Sequence, residues 1–266
     1  MLTLSHISKT FSPGTANEHL ALDDISLHLA PGEFVTVIGS NGAGKSTLMN
    51  AISGVFTVDS GRVILDGQEI TFFKEHKRAR MIGRLFQDPM KGTAPNLTIE
   101  ENLALAYARG QRRGIGIAIN EKDRQLFRRE LARFDMGLED RMKTKVGLLS
   151  GGQRQAVTLL MGTIVPPKLL LLDEHTAALD PAAAQKVLGI TRDIVQREQL
   201  TTLMITHNIQ SALSMGTRTI MMNAGRIVLD ISGEQRAQMT VPRLLELYNS
   251  AAGAALDTDR VLLQQT

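Results

Sequence analysis

The sequence predicts an α/β fold with a mixed core sheet, an antiparallel β subdomain and an inserted helical subdomain. Three observations predict it. The apolar run Phe34-Val35-Thr36-Val37-Ile38 leads through a glycine-rich stretch, Gly39 to Thr47, into the helix-like Leu48 to Ile52. A second uninterrupted apolar run, Leu169 to Leu172, reads as a parallel strand buried on both faces. Between them, residues 88–146 change from strand-like texture to helical spacing.

From the N-terminus, Leu2 to Ile7 and Leu22 to Leu29 alternate apolar and polar residues, as half-buried antiparallel strands do, and Pro31-Gly32 turns the chain into the buried strand Phe34 to Ile38. Phe11 sits at the Ser/Pro/Gly/Asn-rich connection Ser12 to Asn17. It reads as a loop aromatic, either a surface anchor or a platform for a nucleobase. Arg62 to Leu65, the turn Asp66-Gly67 and Gln68 to Ile70 signal a hairpin. Lys74 to Arg80 reads as a charged helical segment, and Met81 to Phe86 as a strand ending at Gln87.

In the insert, Ile99 to Arg109 and Glu121 to Phe134 are spaced as helices, joined by the Gly/Arg connection Gly110 to Gly116. Arg154 to Thr163 reads as a helix opened by Ser150 and the residues after it, and Asp180-Pro181 as an N-cap followed by proline at the first helical position. Leu200 to Thr206 is a further buried strand. Thr217 to Met222, the turn Asn223-Ala224-Gly225 and Arg226 to Leu229 form a closing hairpin. The tail from Ser232 holds a short amphipathic piece, Val241 to Tyr248, and a polar, frayed end. The expected organisation is a core of residues 1–87 and 147–230, a helical subdomain of residues 88–146 and a C-terminal helical tail of residues 231–266.

Composition bounds the function. The chain has 266 residues, 43% of them hydrophobic and 21% charged, enough for one large domain or two unequal lobes. With no cysteine, disulfides and thiolate metal sites are excluded. No apolar run approaches the roughly 20 residues needed to span a bilayer, and Met1 to His6 lack the pattern of a secretory leader, so a cytosolic location is expected. The net charge is only +3, yet residues 109–145 carry eleven Lys/Arg against six Asp/Glu. That local excess reads either as a solvated helix face or as a lobe near an anionic surface.

The glycine-rich stretch carries the chemistry. Glycines 39, 42 and 44 let successive backbone N–H groups face one centre, and the following helix aims its positive end at the same place, so an anion belongs there. Lys45 can reach terminal phosphates, and the Ser46 hydroxyl can ligate a magnesium ion shared with them. Leu149-Ser150-Gly151-Gly152-Gln153 opens a second helix and supplies a second anion-binding end. Two cradles with one lysine-bearing loop suggest a composite site shared between two copies. Asp173 stands at the carboxyl end of a strand, where open α/β sheets place their ligands, and can hold magnesium through water. Glu174, pointing elsewhere, can polarise the attacking water. His207 follows the next strand and can contact a γ-phosphate. Gln87 also ends a strand, and its amide can contact both metal and water.

From Leu2 to about Asp230 the sequence resembles the ATP-binding subunits of ABC transporters, P-loop NTPases of the ABC ATPase type. The motifs stand in the family's order: Walker A at Gly39 to Thr47, the Q-loop at Gln87, the signature Leu149 to Gln153, Walker B at Leu169 to Asp173 with Glu174, the D-loop Ala178-Leu179-Asp180, and the switch His207. The resemblance implies ATP as substrate, Mg2+ as cofactor and a head-to-tail dimer with two ATP molecules between Walker A and the partner's signature. It implies that Phe11, Ser40, Asn41, Gly42, Ala43, Gly44, Lys45, Ser46, Thr47, Ser150, Gly151, Gly152, Gln153 and Asp180 bind nucleotide. It further implies that Ser46, Gln87 and Asp173 serve the metal, and that Glu174, His207, Gln87 and Lys45 serve catalysis. One departure stands out: the family usually has proline where this chain has His175.

Glu174-His175-Thr176 with Lys91-Gly92-Thr93-Ala94-Pro95-Asn96 looks like an importer-type subgroup, some members of which are associated with uptake of amino acids, including aromatic ones. The expectation is an energy-coupling ATPase on the cytoplasmic face of the cell membrane. Its partners would be a second ATP-binding subunit, integral-membrane permease subunits that dock on the helical insert, and an extracytoplasmic solute-binding protein, with no nucleic acid. The rival is a soluble ABC ATPase of a metal-cluster assembly or other non-transport complex.

Overall fold

The computed structural model describes residues 1–109 and 119–252. The expected Gly110 to Gly116 connection and the frayed end of the tail lie outside them. The described chain forms two compact units, one of Met1–Arg78 with the segment from Gln199 onward, the other of Ala79–Glu198.

The first unit holds two sheets. Strands β1 (Leu2–Phe11), β2 (His19–Leu29), β4 (Ser60–Leu65) and β5 (Gln68–Glu69) pair antiparallel in the order β2-β1-β4-β5. Alternation fails between Leu4 and Ile7, three residues apart and both buried, and the structure answers with a bulge at His6, whose φ is 52°. Asp24, at φ 54°, does the same for Leu22 and Ile25 on β2, and the His6 ring meets the Asp24 carboxylate at 2.7 Å. The β4–β5 hairpin turns on Asp66 and Gly67, both at positive φ, as a two-residue turn requires.

The other strands of this unit are β3 (Phe34–Gly39), β8 (Thr201–Ile205), β9 (Arg218–Asn223) and β10 (Arg226–Ile231), in the order β10-β9-β3-β8. Strand β3 is parallel to both β8 and β9, whereas β9 and β10 form an antiparallel hairpin, so the sheet is mixed. All six β3 residues are buried, including Thr36, whose hydroxyl is satisfied by Thr219 Oγ1 at 2.8 Å. Buried between two parallel neighbours, β3 delivers the glycine loop to helix α1 (Lys45–Ser53).

Helix α1 ends at Gly54, φ 82°, and its last carbonyls are met from outside. Arg78, 1% exposed at the end of the single-turn α2 (Glu75–Arg78), donates to the carbonyls of Ala51, Ile52 and Thr71, each at 2.8 Å, and of Phe73 at 3.0 Å. The expected helix Lys74 to Arg80 is thus a single turn, its arginine turned inward as a cap rather than outward to water. Burial pushes the guanidinium down to about 10. Two more helices, α7 (Ile209–Met215) and α8 (Gly233–Ala237), have no clear signal in the sequence. The tail's amphipathic piece is α9 (Val241–Ala252), whose Leu244 and Tyr248, one turn apart, are buried against Ile38 of β3.

The second unit packs helices on a parallel pair, β6 (Ile82–Leu85) and β7 (Leu169–Asp173), aligned Ile82 to Leu169 through Leu85 to Leu172. Its helices are α3 (Ile99–Tyr107), α4 (Glu121–Ala132), α5 (Gly151–Thr163) and α6 (Pro181–Arg197). Each starts at a residue whose side chain accepts an amide of its first turn: Thr98, Asn120, Ser150 and Asp180. A Cβ at Gly83 would lie 2.6 Å from the Gly162 carbonyl, so strand β6 touches helix α5 backbone to backbone.

Replacing Arg78 by methionine keeps a flexible apolar stem but removes the guanidinium and strips four carbonyls of their donor. The expected loss is about 2–4 kcal/mol of unfolding free energy, read from urea denaturation. A loss under about 0.5 kcal/mol would show that the cap is dispensable.

Candidate functional site

In the first unit the glycine loop runs from Gly39 to Gly44, and α1 begins at Lys45, three residues earlier than its apolar pattern suggests. Gly39, at φ 153°, has no room for a side chain: a Cβ would come within 2.3 Å of the Met222 carbonyl. Gly44, at φ 96°, would place one 2.6 Å from the Ala21 carbonyl. Gly44 is also the N-cap, so no side chain caps α1, in contrast to α3 through α7. At that helix end no side chain competes for the first-turn amides, and the aligned peptide dipoles favour an anion. Lys45 is 6% exposed, and its ammonium donates to the carbonyls of Gly39 at 2.7 Å and Ser40 at 2.8 Å. An ammonium resting on two neutral carbonyls can exchange them for phosphate oxygens, which bind it more strongly.

Ser40, Asn41, Gly42, Ala43, Ser46 and Thr47 lie on this loop and helix start, with the Ala43 N–H closing a turn onto the Ser40 carbonyl. Phe11 corrects the expectation of a loop aromatic: it is the last residue of β1, paired with His19, and 38% exposed. Its ring meets Phe56 edge-on at 5.4 Å, with the Lys9 ammonium 5.8 Å from its centroid. His207 is exposed two residues past β8, just before the Asn208 that caps α7.

The second unit holds the other candidates. Gln87 lies two residues beyond the end of β6, exposed, rather than on the strand's last position. Ser150 caps α5: its hydroxyl accepts the Gln153 N–H at 3.3 Å while Gln153 Oε1 accepts the Ser150 N–H at 3.3 Å. A Cβ at Gly152 would lie 2.9 Å from that of Ala183, so this glycine lets α5 and α6 approach. Asp180 caps α6 by accepting the Ala183 N–H at 3.0 Å, ahead of Pro181, as its sequence signature requires.

Asp173 ends β7, largely covered, and Arg84 approaches its carboxylate at 3.5 Å. Glu174 follows at φ 46°, a left-handed conformation costly for a glutamate. His175 then plunges inward, 2% exposed. Its Nε2 lies 3.1 Å from the Thr191 hydroxyl of α6, and that hydroxyl donates its only proton to the Val187 carbonyl at 2.8 Å. Thr191 therefore accepts from His175 Nε2–H, which assigns the neutral tautomer. Burial pushes the imidazole down to about 4. Where a proline would stiffen the chain after Glu174, an imidazole anchors it to the next helix.

Sequence reasoning did not find Thr191, Arg84 or Tyr248, whose hydroxyl accepts the Ser40 N–H at 3.1 Å. Only tertiary contacts give them meaning; Tyr248 alone left a trace, as the end of the tail's apolar stripe.

A glycine loop between a buried parallel strand and an uncapped helix, with a strand-end Asp-Glu pair, defines a P-loop nucleotide-binding α/β protein. More narrowly, the chain belongs to the ABC transporter family, whose model matches residues 22–177. That span contains Gly39 to Thr47, Gln87, Ser150 to Gln153, Asp173 and Glu174, and leaves Phe11, Asp180 and His207 outside it. A tyrosine transport ATP-binding protein of Clostridioides difficile (strain R20291) is 41% identical over 251 residues, 94% of this chain and 100% of that relative. The methionine import ATP-binding protein MetN of Corynebacterium efficiens is 35% identical over 84% of this chain, which spans only 60% of MetN. A solved dimer of the ATP-binding cassette MJ0796 in a post-hydrolysis state, bound to ADP and Pi, aligns with TM-score 0.76 at 27% identity, covering 87% of this chain and 98% of that one. The cassette MJ1267 of an ABC transporter aligns with TM-score 0.76 at 26% identity over 93% of this chain.

The buried His175 sets a pH dependence. In the unfolded chain it titrates near the ordinary 6.5, whereas the folded chain holds it neutral down to about 4. Its contribution is fully present above pH 6.5 and is lost as the pH falls towards 4, by about 3 kcal/mol. Denaturation midpoints followed from pH 7 to 4 should show this loss in the wild type and a clearly smaller one in His175→Gln.

Proposed function

We propose that this chain is the ATP-hydrolysing subunit of an ABC importer for a small solute, an amino acid such as an aromatic one. The observation that carries the reading is the uncapped start of α1, behind a loop whose glycines admit no side chain, with Lys45 leaning over it. The relatives named for tyrosine transport and methionine import support the importer reading over assembly of a metal cluster.

Lys45 and the first amides of α1 hold the β- and γ-phosphates, and Phe11 offers its exposed ring face to the adenine. The donors assigned to magnesium fit a hard cation: a hydroxyl from Ser46, an amide oxygen from Gln87 and a carboxylate from Asp173. Magnesium, when bound, neutralises charge on the transferring phosphate. Glu174 orients the attacking water, and His207 contacts the γ-phosphate. Ser150 and the α5 amides face the nucleotide of a second copy, so two ATP molecules close a head-to-tail dimer and hydrolysis reopens it; a dimeric cassette is the precedent.

Among the described residues no helix is long and apolar enough to cross a membrane. The subunit sits at the cytoplasmic face, docked through its helical insert to integral-membrane permease subunits, with an extracytoplasmic solute-binding protein delivering the solute. Co-purification of a multispan protein from detergent-solubilised membranes tests this; recovery only in the soluble fraction would sink it.

Glu174→Gln should retain magnesium-ATP, elute as a dimer in its presence and hydrolyse at least about 100-fold more slowly. Wild-type turnover in that variant would remove Glu174 from the mechanism.

A further inference from the structure

Tyr248 lies on α9, far along the chain from the phosphate loop, and is 1% exposed among Ile38, Ile209, Ala212, Met221, Ile231 and Leu244. Inside that apolar cluster its hydroxyl has a polar partner, the Ser40 N–H at 3.1 Å. The same peptide unit presents its other end, the Gly39 carbonyl, to the Lys45 ammonium at 2.7 Å. One trans peptide plane is therefore held by its N–H from the tail and by its C=O from the phosphate-binding lysine.

The position of that plane matters because of Gly39. Contact with the Met222 carbonyl admits no side chain there, so the peptide following Gly39 keeps the rotational freedom peculiar to glycine. The hydroxyl of Tyr248 removes that freedom. We infer that Tyr248 is a positioning residue for the phosphate loop, and that through it the C-terminal helix is coupled to nucleotide loading. The inference rests on reading the loop as the ATP site. With the Gly39–Ser40 peptide pinned, Lys45 can leave its carbonyls for phosphate oxygens while the loop keeps its shape. The coupling runs both ways. A loop that takes phosphate better while its peptide is held by the Tyr248 hydroxyl must in turn hold that hydroxyl more tightly once phosphate is bound.

The test uses the full-length chain. Tyr248→Phe keeps the buried ring and deletes only the hydroxyl. Its dissociation constant for magnesium-ATP should rise about three- to ten-fold, the range of one modest hydrogen bond. Turnover at saturating ATP should stay within about two-fold of wild type, since nothing touching the reacting atoms has changed. A purely structural tyrosine would lower the melting temperature and leave ATP affinity within about two-fold, and that result overturns the inference. Should Tyr248→Phe not fold, a second readout decides. The chain has two tyrosines and no tryptophan, so Tyr107→Phe leaves Tyr248 as the only strong ultraviolet emitter. Its emission should change when magnesium-ATP is added; unchanged emission overturns the inference. Lys45→Ala separates the two levels of the argument. If that variant binds ATP like the wild type, the nucleotide-site reading fails. If it loses binding while Tyr248→Phe binds normally, only the role of Tyr248 fails.

Discussion

The constraint on which the structure depends is the absence of space behind the phosphate loop. Gly39 abuts the Met222 carbonyl and Gly44 the Ala21 carbonyl, so the loop is pressed against the ends of two neighbouring strands. A loop so held can turn its amides towards a ligand only if the backbone takes conformations that side chains forbid. The burial of all six β3 residues between β8 and β9 supplies the rigidity. The helix that follows has no side-chain cap, so its positive end faces the loop's centre, where the proposed phosphate would sit.

The second unit solves a related problem with different means. After the buried strand that ends at Asp173, the chain passes through a left-handed Glu174. Such a conformation persists only where its surroundings hold it. In this chain the holding group is His175, turned into the core and bonded to Thr191, which is itself bonded to α6. The departure from the family's usual proline therefore has a physical reading: a hydrogen-bonded anchor replaces a conformationally restricted ring. Burial of the imidazole, the feature that makes the anchor dry, also makes it sensitive to acid.

Much of the site was legible because phosphate chemistry leaves local marks. Glycines at fixed spacing, a lysine beside a hydroxyl, a serine at a helix start and carboxylates at a strand end each follow from what one peptide segment must do. Helix caps were legible for the same reason, as at Asp180-Pro181, and so were two-residue turns such as Asp66-Gly67. Phe11 was misplaced because polar and glycine residues after it suggested a loop, whereas pairing with His19 extends β1 to include it. Arg78 falls within the segment Lys74 to Arg80, whose charges gave no sign of a buried side chain. Its burial depends on the carbonyls of α1, which lie more than twenty residues away in sequence.

By itself the sequence determined the fold class, the order of the strands and most of the helices, and which residues are candidates for binding phosphate and metal and for orienting water, because these rest on short-range geometry and on the period of apolar residues. Only the tertiary structure decided where Phe11 sits, that Arg78 closes α1, that His175 hangs from Thr191 and that Tyr248 reaches the loop. Each of these joins residues distant along the chain, and a hydrogen bond depends on where two atoms arrive after folding, which no local pattern records.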